Sequence, residues 1–154
     1  MAYRFVPRPT LAIGTDLLAL IGNTPLVPMR RIPAREGVRP TVEVCAKLEG
    51  HNPGGSVKDR PMLRIVEDAE RGGRLSSGRM LLDSTSGNAG IAYAMIAAVK
   101  GYRVTLVVPG NASEERKGIM RAYGAELVLS DPLEGSDGAI LLARQMAAEA
   151  RDRY

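Results

Sequence analysis

The sequence predicts an α/β fold in which a four-stranded parallel sheet carries helices on both faces. Three observations predict it. From Thr41 onward, strand-like runs alternate with helical periodicity four times in succession, the signature of right-handed crossover connections. The run RVTLVV (residues 103–108) is almost continuously apolar, as a parallel strand buried on both faces must be. The run IAYAMIAAV (residues 91–99) is apolar almost all round a helical wheel, which marks a helix covered on every side.

Taken in order, residues 1–40 read as an N-terminal arm with one short helix. Residues 1 to about 15 lack periodicity. Asp16 is placed to cap a helix, LLALI, that stops at Gly22. Pro25 and Pro28 exclude a central strand from GNTPLVPM, and a loop rich in Arg and Pro follows over residues 30–40.

Residues 41–154 form the parallel domain. Its first strand spans residues 41–48 and feeds a loop with Pro53, Gly54 and Gly55. A helix then runs to about Arg71, with Met62, Leu63, Ile65, Val66 and Ala69 on its inner face. Ser56 and Asp59 have the S-x-x-D spacing of a capping box, and Gly72 and Gly73 end the helix. Pro61 sits just past its first turn.

The second strand, residues 80–83, leads into the loop STSGNAG. A buried helix follows from about Ala89 to Lys100, closed by Gly101. The third strand, residues 103–108, is halted by Pro109 and Gly110. Ser113 caps a helix with Glu114 and Glu115 in its first turn and Gly124 at its end. The fourth strand covers about residues 125–129. The last helix runs over about residues 137–153 and turns Ile140, Leu141 and Met146 inward.

Composition narrows the function. With 154 residues, 45% of them hydrophobic and 25% charged, the chain suffices for one well-cored soluble domain. The net charge of +4 is scattered, with no Trp and one Phe. A nucleic-acid surface needs clustered cations and stacking aromatics, so none is expected. Cys45 and His51 are the only residues of their types. A disulfide framework, a zinc site and Ser-His or Cys-His nucleophile systems are therefore excluded within the chain. Cys45 reads as a small buried thiol in the first strand, and His51 as an exposed loop residue. No apolar run reaches membrane-spanning length. The N-terminus, broken by Arg4, Pro7, Arg8 and Pro9, is no signal peptide. A cytoplasmic location is the expectation.

Two stretches carry chemistry. In KLEGHNPGGSVKDR (residues 47–60), Lys58 stands at the start of a helix, next to unsatisfied N–H groups and the positive end of the macrodipole. That end favours the uncharged, nucleophilic amine that a Schiff-base lysine needs. The plain alternative is a surface lysine paired with Asp59 or Glu49. The stretch is no phosphate-binding P-loop, because Ser56 and Val57 stand where that motif requires Lys and Ser or Thr. In the second stretch, Thr85-Ser86-Gly87-Asn88-Ala89-Gly90, small residues open backbone N–H groups to an anion at a helix start. Hydroxyls and an amide stand beside them; the plain alternative is a well-capped turn. Both loops follow strands, and ligands of parallel sheets bind at the strands' carboxyl ends. An amine nucleophile facing a carboxylate-sized cradle suits an amino-acid substrate and a carbonyl cofactor.

The strings IGNTPLV (residues 21–27), KLEGHNPGGSVKDR, DSTSGNAGIAYA (residues 83–94) and SEERKGIMRAYGAELVLS (residues 113–130) resemble the cysteine synthase and cystathionine β-synthase family of fold type II pyridoxal-phosphate enzymes. The resemblance extends from about Leu17 to the C-terminus. It implies the first domain of such an enzyme, with Lys58 holding pyridoxal phosphate and acting as the base at the substrate's Cα. It implies that Asn88 binds the cofactor's ring hydroxyl, and that Thr85, Ser86, Gly87, Asn88 and Ala89 bind the substrate carboxylate. The implied chemistry is β-replacement: an activated serine loses its leaving group and takes a sulfur nucleophile. The implied partners are an amino-acid substrate, a sulfur donor and a second copy in a homodimer. Two residues depart from the family pattern, Ser84 in place of Pro and Ala89 in place of Thr. The family's second domain, with its Gly/Thr-rich phosphate loop, has no counterpart in this sequence. The alternatives are cystathionine β-synthase-type replacement with homocysteine, or a non-catalytic remnant that binds a partner or a free amino acid.

Overall fold

Five strands and five α-helices follow the first described turn in a computed structural model that describes residues 15–76 and 78–154. Apart from Thr15, the arm expected over residues 1 to about 15 lies outside the described residues. Asp16 does cap the next segment, its Oδ1 accepting the amides of Leu18 and Ala19 at 2.7 and 3.0 Å. Those residues form a single 3-10 turn, Leu18–Leu20.

The parallel sheet has three strands rather than four. Strands β3 (Leu81–Ser84), β4 (Val104–Pro109) and β5 (Glu126–Ser130) lie side by side with β4 in the centre. All six residues of β4 are buried, as its continuous apolar run requires. The strand expected first, β2 (Val44–Lys47), pairs instead antiparallel with β1 (Leu26–Met29) in a separate two-stranded ribbon. The cause is its alternation. Val44 and Ala46 turn to the partly buried face while Cys45 and Lys47 face solvent, the habit of a half-covered antiparallel strand. Cys45 is accordingly exposed, not buried. Pro28 is tolerated in β1 because each strand of a two-stranded ribbon is an edge. Within the expected loop of residues 30–40, Arg31–Arg35 form a one-turn helix, α1.

Helices cover the sheet on both faces. Helices α3 (Asn88–Lys100) and α4 (Glu114–Ala122) pack on one face, and α5 (Gly135–Glu149) packs on the other. Helix α2 (Asp59–Arg71) packs chiefly against α3 rather than flat on the sheet as a crossover helix would, and forms an outer layer. This second cover explains why α3 is buried from Gly90 to Ala97. The main core joins α3 to Val104, Leu106 and Val108 of β4, Met120 of α4 and Val66 of α2. A smaller core on the opposite face gathers Val107, Ala139 and Ala143, with Leu142 and Met146 packed against it.

Some inward assignments shift. Ile65 is 48% exposed, while Met62, Leu63, Val66 and Ala69 face the core. On α5, Ile140 and Leu141 are 37% and 63% exposed, and the small residues Gly138, Ala139 and Ala143 make the contact instead. Small side chains let α5 lie close against the strands, which leaves the bulky neighbours a turn away from the sheet. Pro61 sits in the first turn of α2, where its missing N–H would have found no helical acceptor in any case. Gly101 closes α3 at a φ of 76°.

The lysine loop is anchored to the entry segment by one carboxylate. Glu49 accepts from Arg60 Nε and Nη2 at 2.8 and 2.9 Å, from Thr24 Oγ1 at 2.8 Å and from Asn52 Nδ2 at 2.9 Å. Asn52 Oδ1 in turn accepts the amide of Gly22 at 2.9 Å. At that glycine (φ 97°), a Cβ would stand 3.0 Å from the Arg60 guanidinium. The GNTP and EGHNPGGSVKDR strings are thus two halves of one clamp.

Two predictions follow from this packing. Hydrogen bonding to Arg60, then to Thr24, lowers the Glu49 carboxyl to about 2 from 4.5. Unfolding between those values takes up a proton, so the clamp's stabilisation is complete above pH 4.5 and is lost as pH falls through about 2. Asp59, whose carboxyl is raised by burial, with the nearby charge of Glu49 adding to the shift, acts in the opposite sense and offsets part of the slope. Glu49→Gln should therefore melt lower than wild type at neutral pH and show a flatter acid limb in thermal melts across this interval. The second prediction concerns Gly90, where a Cβ would collide with Thr85 Cγ2 and with the methyl group of Met120. Gly90→Ala should cost about 1–3 kcal/mol in denaturant unfolding, the usual penalty for overpacking.

Candidate active site

Lys58 and the loop between β3 and α3 line one cleft of about 310 Å³, together with Pro109 and with Ser136, Ala139 and Ile140 of α5. All the residues singled out from the sequence meet there: Lys58, Thr85, Ser86, Gly87, Asn88 and Ala89. Their route differs from the expected one. The β3–α3 loop lies at the carboxyl edge of the sheet, as parallel strands dictate. Lys58 arrives from the outer layer, because α2 packs on α3 and carries its own N-terminus to the same place.

The lysine occupies the N-cap of α2. Ser56 supports it by accepting the Lys58 amide through Oγ at 3.1 Å, rather than forming the expected capping box. The Asp59 carboxylate reaches back to the Gly54 amide at 2.5 Å. Gly55 turns the loop at a φ of 81°. Neither partner imagined for a surface ion pair contacts the Lys58 amine. Glu49 is engaged by Arg60, and Asp59 by Gly54.

The four lysines of the chain divide sharply. Lys47 donates to the carbonyl of Thr24, Lys100 pairs with Glu70 at 2.9 Å, and Lys117 is buried between Glu114 and the Gly110 carbonyl. Among the described residues, only the Lys58 amine has no hydrogen-bond or ion-pair partner, and it opens onto the cleft.

Opposite it stands the start of α3. Thr85 Oγ1 accepts the amides of Gly87 and Gly90 at 3.3 and 3.1 Å, so this hydroxyl caps the helix. The amides of Asn88 and Ala89, in the first turn, have no acceptor among the described residues. They add to the positive end of the helix dipole at the cleft wall. The side chains of Ser86 and Asn88 are exposed and carry no protein hydrogen bond among those described. A free amine and a row of free donors thus face a space that suits a carbonyl group and an anion.

Sequence reasoning missed the third wall. Pro109, Ser136, Ala139 and Ile140 come from the ends of β4 and the beginning of α5. The signal was present, since the loop after β5 must open at the same carboxyl edge. Reading Ile140 as inward obscured it. His51 is exposed, as expected, and does not line the cleft. No described helix is long and apolar enough to cross a membrane.

The site's composition fits a pyridoxal-phosphate cofactor: one unengaged amine, beside backbone donors and an amide side chain. Comparison with known proteins bears on this directly. The family model for pyridoxal-phosphate-dependent enzymes matches residues 17–154. A cysteine synthase of Aquifex aeolicus is 50% identical over 138 residues, covering 90% of this chain and 42% of that protein. Cystathionine beta-synthase of Rattus norvegicus is 48% identical over 126 residues, covering 82% of this chain and 22% of that protein. A crystal structure of cysteine synthase from Entamoeba histolytica superposes with a TM-score of 0.93 at 38% identity, covering 99% of this chain and 45% of that one. The chain therefore spans less than half the length of these relatives. Within that span the match is nearly complete, and the chain belongs to the pyridoxal-phosphate-dependent enzyme family.

Proposed function

We propose that the protein performs β-replacement on an activated serine to form cysteine, with residues 41–154 as the lysine-bearing domain, residues 1–40 as its arm, and a second domain completing the site. The observation that carries the reading is the single unengaged lysine amine facing the free amides of α3 across one cleft. Identity of 50% to a cysteine synthase supports the reaction class.

Lys58 would hold the cofactor covalently, and Asn88 would donate to its ring hydroxyl. When bound, pyridoxal phosphate supplies the electron sink that acidifies the amino acid's Cα–H and releases its β-substituent. The protein's own work is then positioning and proton transfer. The amides of the α3 first turn, with the Ser86 hydroxyl and the Asn88 amide, orient the substrate carboxylate. Thr85 holds that turn in place. The freed Lys58 amine takes the proton from Cα and returns one after sulfur adds. The cofactor's phosphate and ring nitrogen fall to the second domain. A cytoplasmic homodimer using a small sulfur donor completes the proposal.

A second reading, condensation with homocysteine, has the likeness to cystathionine beta-synthase in its favour. The two separate by product. Cofactor-loaded protein given O-acetylserine should make cysteine with sulfide faster than cystathionine with homocysteine, and Lys58→Ala should abolish both. Ser86→Ala should raise KM, losing about 0.5–1.5 kcal/mol of substrate binding for one hydrogen bond. Preferential use of homocysteine selects the second reading. Turnover by Lys58→Ala at the wild-type rate removes both.

A further inference from the structure

Asp59 is fully buried, yet only one of its carboxylate oxygens has a partner. Oδ2 accepts the Gly54 amide at 2.5 Å, and Oδ1 has none among the described residues. A buried carboxylate with a single hydrogen bond is costly, and burial accordingly raises its carboxyl above the usual range. Stability alone would favour a smaller neutral side chain here.

The geometry gives this carboxylate another task. It lies directly after Lys58 in sequence and reaches back across the whole turn to Gly54. Gly54 is packed so tightly that a Cβ would collide with the carboxylate. The loop is further closed by the Gly55 amide donating to the Asn52 carbonyl, at 2.8 Å, and by Ser56 Oγ accepting the Lys58 amide. The Lys58 side chain has no partner of its own among the described residues, so its place at the cleft depends wholly on how its backbone is held.

We propose that Asp59 is a positioning residue for Lys58: its buried carboxylate fixes the Gly54 amide, and with it the loop from which the Lys58 amine faces the cleft. The inference rests on the reading of Lys58 as the cofactor lysine. It goes further in assigning the accuracy of that lysine to a neighbour that touches neither substrate nor cofactor.

The test compares three variants of the purified protein. Asp59→Asn keeps an oxygen for the Gly54 amide, Asp59→Ala removes it, and Val66→Ala weakens the core two turns further along the same buried helix face. Melting temperature, hydrogen exchange at the Gly54 amide without cofactor, and the rate of pyridoxal-phosphate capture by Lys58 are measured for each. Asp59→Ala should expose the Gly54 amide to exchange and slow capture by about 10- to 100-fold, the effect expected of a misplacement near 1 Å. Asp59→Asn should keep that amide protected and stay within about threefold of wild type, since its carbonyl oxygen still accepts the bond. Val66→Ala should lower the melting temperature but leave capture within about twofold, as a distant independent site does.

Wild-type capture by Asp59→Ala, or equal slowing by Val66→Ala, overturns the inference. If Asp59→Ala does not fold, Gly54→Ala attacks the same contact from the other side, and unchanged capture in that variant is equally contrary. A wild-type protein that captures no cofactor at Lys58 instead removes the function proposed above, and this inference with it.

Discussion

The carboxylate of Glu49 holds the candidate site to the rest of the chain. Four donors from three residues converge on its two oxygens: two from Arg60, one from Thr24 and one from Asn52. That fills the acceptor capacity of an ionised carboxylate. Through Thr24 and Gly22 it reaches the segment entering β1, and through Asn52 and Arg60 it brackets the loop that presents Lys58. A loop with two adjacent glycines would otherwise have wide conformational freedom. Here it is spanned by the Glu49–Arg60 pair and, within that span, by the Asp59 carboxylate on the Gly54 amide.

The opposite wall is built on different physics. Helix α3 is held mainly by apolar burial between the sheet and α2, with the Lys100–Glu70 pair tying its far end to α2. Gly90 permits the close approach to Thr85 and Met120 that seats its first turn. The result is a rigid positive helix end with free amides, facing an amine on a tightly hydrogen-bonded loop. An anionic group such as a substrate carboxylate is favoured at that helix end.

Much of this was legible in the sequence because the deciding signals were local. The burial of all of β4, and of α3 from Gly90 to Ala97, followed from unbroken apolar runs, although Val99 at the end of the run is exposed. The Gly101 stop and the Asp16 cap followed from residue type at a fixed offset. The glycine-rich loops announced a cleft: the second lines it, and the first leads into Lys58, which lines it too. What sequence reasoning misplaced was non-local. The strand ending at Lys47 was counted into the parallel sheet because it precedes a helix, although its own alternation, exposing Cys45 and Lys47, pointed to a half-covered antiparallel ribbon. Ile140 and Leu141 were turned inward because large apolar residues usually are, whereas the contact belongs to Gly138, Ala139 and Ala143. The Glu49 clamp ties Thr24 to residues 25 and 36 positions away, and no periodicity reveals such a pairing.

The account rests on one claim, that Lys58 alone among the chain's lysines is free to form a covalent bond with a carbonyl ligand. The most direct measurement mixes purified protein with pyridoxal phosphate, fixes any adduct with borohydride and maps it by peptide mass spectrometry. The account predicts label on Lys58, with Lys47, Lys100 and Lys117 unmodified at a stoichiometric dose. Label distributed over those three, or absent from Lys58, would contradict it.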